Sequence, residues 1–341
     1  MSTKKRGFWW WLLRIGAGLI GLVVVGLLGT TVNASVRDGR IYNADLPVGS
    51  QLIDVNGRNI HVYAQGEDQD GPAVVFVGCF GCNSAIWQAV QPGISQFAHT
   101  IAFDPAGYAW SDPGPGLMPQ TMADDLFATL TALGEKEIIL VGFSAGMLPI
   151  YDFYERYGSE INVVGMVSVE GAILADMEGD WYPPTNPLGL SNGMTDFLIA
   201  AGVARLLAVQ FQGPMPDTIV NVDYYRLVAE SARTRQSLHT WASQYTPATH
   251  DDVQRVLSTA KMPVEPVVIV LQSQDILDTS DAMPGYEELS RTYAEASVTW
   301  YEAWTAAAAP GSQVIVVPNT THFIMSDQPQ AVIDAVRLVW E

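Results

Sequence analysis

Residues 138–158 read IILVGFSAGMLPIYDFYERYG. Ile138–Val141 fits a strand buried on both faces, and the apolar spacing from Met147 to Tyr157 fits a helix. Between them stands Gly142-Phe143-Ser144-Ala145-Gly146, a G-x-S-x-G pentapeptide. A strand that runs straight into a helix must bend sharply, and a side chain at either glycine would clash across the bend. Ser144 then sits at the apex, its hydroxyl lifted out of the sheet as a nucleophile requires. A plain glycine- and serine-containing loop is the alternative, and the flanking strand and helix argue against it.

A serine hydroxyl attacks poorly until a base takes its proton and an acid orients that base. Of five histidines, His61 falls in a hairpin strand, His99 just before a strand, and His239 and His250 in a helical region. His322 falls in 313-QVIVVPNTTHFIMSDQP-329, on a loop between the last strand and the last helix. Loops beyond the carboxyl ends of parallel strands are where such sheets place their sites. For the acid, 266-PVVIVLQSQDILD-278 supplies Asp275 in the chain order Ser, Asp, His. Asp278 and Glu170, the latter closing the strand in VSVEG, are rivals.

Outward from the elbow, strands are expected at Gln51–Val55, Ile60–Ala64, Ala73–Val77, Thr100–Phe103, Val163–Val169, Pro266–Leu271 and Gln313–Val317. Helices are expected at Ile86–Phe97, Thr121–Leu133, near 286–308 and from Gln330 onward. The alternation is that of an α/β, mostly parallel, doubly wound sheet. It stops between about 172 and 262, where Trp181-Tyr182-Pro183-Pro184 and helical runs at Thr195–Ala208 and Tyr224–Thr240 suggest an inserted helical cap. Trp181 and Tyr182 are candidate substrate-binding residues. The expected divisions are 1–35, 36–171, 172–262 and 263–341.

These segments resemble the α/β-hydrolase superfamily in its lid-bearing serine-hydrolase branch, over roughly residues 50–341. The resemblance rests on the VGFSAG elbow, the QSQD and TTHF segments, and 104-DPAGYAWSD-112, which is similar to a D-x-x-G-x-G-x-S-D stretch common after the fourth strand. Ala109 stands there in place of a usual glycine. The resemblance implies an oxyanion hole built from the backbone N–H of Ala145 and of Cys79, in Val77-Gly78-Cys79, where members commonly carry a histidine two positions before the donor. It also implies Ser-His-Asp chemistry on a small-molecule ester without a cofactor or metal. Haloalkane dehalogenases and epoxide hydrolases share the fold but place an aspartate at the elbow, so Ser144 argues against both. Carbon–carbon hydrolases, lactonases, thioesterases, aminopeptidases and cofactor-free haloperoxidases share these motifs. A membrane-tethered binding protein on a retired hydrolase scaffold is a further alternative, and the presence of all three triad residue types argues against it.

Cys79 and Cys82 are the only two cysteines. Zinc needs four ligands and no second pair exists. A redox C-x-x-C would belong to a different small fold. A local disulfide and two free thiols both remain open.

At the N-terminus, Ile15–Val32 is charge-free, and Phe8–Leu13 extends it past the length of a bilayer core. Lys4, Lys5 and Arg6 precede it, Trp9, Trp10 and Trp11 stand where an interfacial belt would lie, and Arg14 is within snorkelling reach. A retained single-pass anchor with the body outside the cytoplasm is expected. A signal peptide cleaved after Val32-Asn33-Ala34 is the alternative. The first forty residues hold six of seventeen bases and one acid in a chain of net charge −19, which leaves the remainder at −24. Such a body repels nucleic acid and anionic lipid.

Overall fold

The computed structural model describes residues 8–79, 81–171, 190–208, 219, 221–259, 263–272, 304 and 308–341. Eight strands form one sheet: β1 Ser50–Val55, β2 Arg58–Gln65, β3 Ala73–Val77, β4 Thr100–Phe103, β5 Glu137–Phe143, β6 Asn162–Val169, β7 Val267–Gln272 and β8 Gln313–Val317. Their order is β1-β2-β4-β3-β5-β6-β7-β8. β1 and β2 pair antiparallel, as do β2 and β4, and every pair from β4 to β8 is parallel. Asn56 (φ 55°) and Gly57 (φ 80°) make the β1–β2 turn, and left-handed backbone at both positions matches the twist of the paired strands.

β3 is buried along its whole length because both sheet faces are covered. Val75, Val77, Ile138 and Leu140 point to one face, where they join residues of α3 (Pro119–Leu133), α4 (Met147–Tyr157) and α9 (Pro247–Thr259). Val74, Phe76, Ile139 and Val141 point to the other, where they meet Val332, Ala335 and Val336 of α11 (Pro329–Trp340). Full burial of side chains of this size contributes roughly 1.5–3 kcal/mol each.

The helix expected over Ile86–Phe97 is instead a 3₁₀ turn at Ser84–Trp87 followed by one short α2, Gln91–Ile94. Pro92 has no N–H to continue a helix. Gly93 lies so close to Ile333 that a Cβ would come within 2.6 Å of its Cδ1.

Between β6 and β7 the chain inserts α5 Asn192–Ala200, α6 Val203–Ala208, α7 Val222–Ser231, α8 Arg235–Ser243 and α9. The two longer runs read from the sequence are each divided. Gly202 (φ 73°) separates α5 from α6, and Thr234 caps α8 by accepting from the Ser237 N–H. α10, Ile324–Asp327, precedes α11.

The N-terminal helix α1 runs from Phe8 to Tyr42, about 52 Å at the standard rise, and continues past the boundary expected at residue 35. Its last turns pack on the insertion. Thr30 Oγ1 donates to the Ala201 carbonyl at 2.7 Å, Asp38 pairs with Arg235 at 2.7 Å, and Tyr42 and Thr234 share a 2.8 Å hydrogen bond. Ala34 and Ile41 are buried there.

Candidate active site

β5 delivers its last residue, Phe143, to the carboxyl edge of the sheet, and the next residue turns the chain into α4. Ser144 adopts φ 51°, a left-handed backbone that costs a side-chain-bearing residue about 1–2 kcal/mol. The two glycines of the pentapeptide have distinct steric reasons. A Cβ on Gly142 would strike the Met147 sulfur, and one on Gly146 would lie 2.5 Å from the Gly78 carbonyl oxygen and 2.6 Å from that of Val77. The second contact matters most for the site, because it presses the elbow against the end of β3.

His322 sits between β8 and α10 with its imidazole part-exposed. Its Nδ1 lies 3.3 Å from Oε2 of Glu170, and its ring centroid lies 4.8 Å from that of Phe143, the residue before Ser144. The loop is tied back on itself, since Asp327 Oδ2 accepts from both the N–H and the hydroxyl of Thr321 at 2.7 and 2.6 Å. Glu170 follows β6 directly, is buried, and donates its N–H to the Val270 carbonyl at 2.9 Å. Gly171 beside it has no room for a Cβ, which would strike Ser168 and Met147.

Among the described residues, five non-glycine positions have left-handed backbone: Asn56, Ala109, Ser144, Glu170 and Asn319. Apart from the hairpin residue Asn56, all follow the carboxyl ends of strands, β4, β5, β6 and β8 respectively. Strain gathered on one edge is characteristic of a functional edge.

Of the three acids read from the sequence, Glu170 is the one seen beside His322. Asp275 and Asp278 lie outside the described residues, as do Trp181 and Tyr182. The signal for Glu170 was present in VSVEG, a buried strand ending in an acid and a glycine.

Cys79 and Cys82 are joined by a disulfide across the loop that follows β3. The Cys82 N–H donates to the Cys79 carbonyl at 2.9 Å, and Gly78 packs so near that a Cβ would lie 3.1 Å from Cys82 Cβ. The backbone of Cys79 therefore follows immediately on the Val77–Gly78 carbonyls that touch the elbow. Gly81 (φ 86°) faces Trp241 of α8, and Asn83 donates to the Val228 carbonyl of α7 at 2.8 Å. The helical insertion thus rests on this loop.

The 104-DPAGYAWSD-112 stretch has a structural explanation. Asp104 is fully buried and accepts from the Ser84 N–H at 2.6 Å and the Ser84 hydroxyl at 2.7 Å, while its Oδ2 lies 2.6 Å from His61 Nδ1. Tyr224 of α7 completes the cluster with a 2.7 Å hydrogen bond to Ser84, and burial together with the Asp104 charge holds its phenol pKa well above the ordinary value. Ser111 donates to the Asp104 carbonyl and accepts from the His61 N–H, and Asp112 accepts from the Asn59 N–H. These bonds lock the loop after β4 to β2, to the disulfide loop and to the insertion. A Cβ on Gly107 (φ 85°) would collide with Thr240 of α8.

Comparison with known proteins agrees with this architecture. A family model described as the alpha/beta hydrolase family matches residues 74–335. A 2-(acetamidomethylene)succinate hydrolase of Mesorhizobium japonicum is 22% identical over 298 residues, covering 84% of this chain and 93% of that protein. Among solved structures, a thermophilic esterase from Thermogutta terrifontis superposes with TM-score 0.55 at 18% identity, covering 86% of this chain and 98% of the esterase. An epoxide hydrolase from Bacillus megaterium gives TM-score 0.56 at 20% identity, covering 85% of this chain and 99% of that one. With a family model spanning most of its length and the sheet order just described, the chain belongs to the alpha/beta hydrolase family.

Proposed function

We propose that this hydrolase cleaves carboxylic esters through an acyl-enzyme intermediate, with Ser144 as nucleophile and His322 as base. The observation that carries the reading is the strained Ser144 at the end of β5 together with an imidazole that packs on the adjacent Phe143 and is paired with a buried carboxylate. His322 takes the Ser144 proton as the hydroxyl attacks the carbonyl, then returns it to the leaving alkoxide, and water releases the acyl group by the reverse roles. Glu170 is the orienting acid on this account, and Asp275 is the alternative that chain order favours. The backbone N–H groups of Cys79 and Ala145 receive the developing oxyanion, and each such donor contributes about 2.7–4 kcal/mol to the transition state. The chemistry proposed is complete without a metal or organic cofactor.

The insertion is read as a cap over the site, with 172–262 as its extent and the hydrolase core in 36–171 and 263–341. Trp181 and Tyr182 are assigned to its acyl-binding wall. The support for a cap is that α7 and α8 touch the loops after β3 and β4.

α1 is read as a retained membrane anchor with the body outside the cytoplasm. Its most apolar window has a mean hydropathy of 2.2, and Arg14 folds back over the Trp10 ring at 4.0 Å, the direction in which a snorkelling cation reaches for the interface. Cleavage after Ala34 would remove Thr30 and Ala34, which fill the space that Gly202 leaves between α1 and the insertion.

The test is a series of p-nitrophenyl esters of rising acyl length, assayed with the wild type and with Ser144→Ala. Turnover by the wild type and its loss in the variant is the expected pair of results. A wild type inert toward every ester contradicts ester hydrolysis and returns attention to carbon–carbon, lactone, thioester, amide or halogenation chemistry on the same triad, or to a binding role.

A further inference from the structure

α1 meets the insertion in two places, beyond its charge-free run at Asp38 and Tyr42 and also within that run, at Val24 to Thr31. Val24, Leu27, Leu28 and Thr31 on α1 and Phe197 and Ala200 on α5 line a shallow apolar groove of about 320 Å³. Phe197 is 51% exposed, and Met194, one turn earlier on α5, is 48% exposed. Leu206 on α6 and Leu28 on α1 are also exposed. On the neighbouring strip of α5, Asp196 pairs with His239, which gives the apolar face a polar rim.

Helix geometry fixes the depth of this face once α1 is taken as a span. Trp10 and Trp11, with Arg14 folded over Trp10, mark one interface. A hydrocarbon core of about 30 Å takes about 20 residues of helix, so the opposite boundary falls near Thr30 and Thr31. Both threonines satisfy their hydroxyls on backbone carbonyls, Leu27 and Ala201, as a lipid boundary demands. The groove residues Val24 to Thr31 therefore lie in the last two turns inside that boundary. A helix packed beside them cannot stand clear of the bilayer.

We propose that α5, through Met194, Phe197 and Ala200, is embedded in the outer leaflet beside α1, with fluid acyl chains of the bilayer filling the groove. This rests on the reading of α1 as a span. The depth it gives Phe197, about 5 Å inside the boundary, matches that of interfacial helices, which lie about 5–10 Å into the headgroup and acyl region. The acidic body disfavours anionic lipid, so the contact is apolar and suits zwitterionic bilayers. The consequence for the enzyme is positional. α5 packs on α8, and Trp241 of α8 faces Gly81 of the disulfide loop, so one helix separates the lipid from the loop that carries Cys79.

The test uses the full chain in phosphatidylcholine vesicles. Both native cysteines are in the disulfide, so a single introduced cysteine can carry an environment-sensitive fluorophore. Three variants are labelled: Leu22→Cys in the span, Phe197→Cys on α5, and Val264→Cys, 79% exposed at the opposite end of the sheet. Nitroxide lipids carry the quencher at the headgroup, shallow on the acyl chain or deep. The expected result is loss of most emission at 22 with the deep nitroxide, at 197 with the shallow acyl nitroxide, and at 264 with none. Quenching at 22 without quenching at 197 overturns the proposal and leaves the anchor standing. Quenching at neither position overturns the anchor reading and the proposal together.

Discussion

His322 Nδ1 lies 3.3 Å from Oε2 of Glu170, a buried carboxylate at the end of β6, so loops from two different strands meet where the imidazole packs on Phe143, the residue before Ser144. If this pairing orients the base, Glu170→Gln holds the imidazole in the wrong tautomer and lowers kcat by about 10²–10⁴ with little change in KM. Asp275→Asn then leaves kcat within a few-fold of wild type. Steady-state kinetics on both variants decide the matter, and the reverse pattern hands the role to Asp275.

The left-handed backbone of Ser144 makes stability and activity trade against each other. Ser144→Gly relieves the φ strain and is expected to raise stability by about 1–2 kcal/mol while abolishing ester turnover. Ser144→Ala loses the same activity but keeps the strained Cβ, so its Tm stays closer to that of wild type. Thermal unfolding of the three proteins measures the difference.

Gly146 has no room for a side chain because the Gly78 and Val77 carbonyls face it. Gly146→Ala pushes the end of β3 away from the elbow and separates the two proposed oxyanion donors. The expected effect is a fall in kcat of about 10²–10³, the range found for loss of one donor. A fluorophosphonate should still label Ser144 in this variant, at a reduced rate.

Asp104 is fully buried and serves as acceptor for Ser84 while facing His61. Removing it leaves donors unsatisfied in the interior, so Asp104→Ala is expected to cost about 3–5 kcal/mol of stability. Denaturant unfolding measures this. A loss of activity with unchanged stability would instead give Asp104 a direct role at the site.

The strands were legible because each is a short apolar run, and Ala73–Val77, Thr100–Phe103 and Gln313–Val317 have in the structure the bounds that their composition suggests. The Ser144 elbow was legible because steric demand writes itself into glycines. Three features were not. The break at Gly202 sits inside apolar spacing that continues on both sides, and its cause is the approach of Thr30 and Ala34 of α1, distant in the chain. The extension of α1 to Tyr42 was hidden by Arg37, Asp38 and Arg40, which read as a polar end, whereas Asp38 finds its partners in Arg205 and Arg235. The choice between Glu170 and Asp275 depends on which loop swings toward the imidazole, a distance through space that chain order does not encode.

Activation of Ser144 by His322 is the step on which the proposed reaction rests. Its most direct test is to treat the wild type, Ser144→Ala and His322→Ala with a fluorophosphonate probe and locate the adduct by peptide mass spectrometry. The expected result is an adduct on Ser144 in the wild type, none at that position in Ser144→Ala, and labelling slowed by orders of magnitude in His322→Ala. An unlabelled wild type, or an adduct formed as fast without His322 as with it, overturns the proposed roles of both residues.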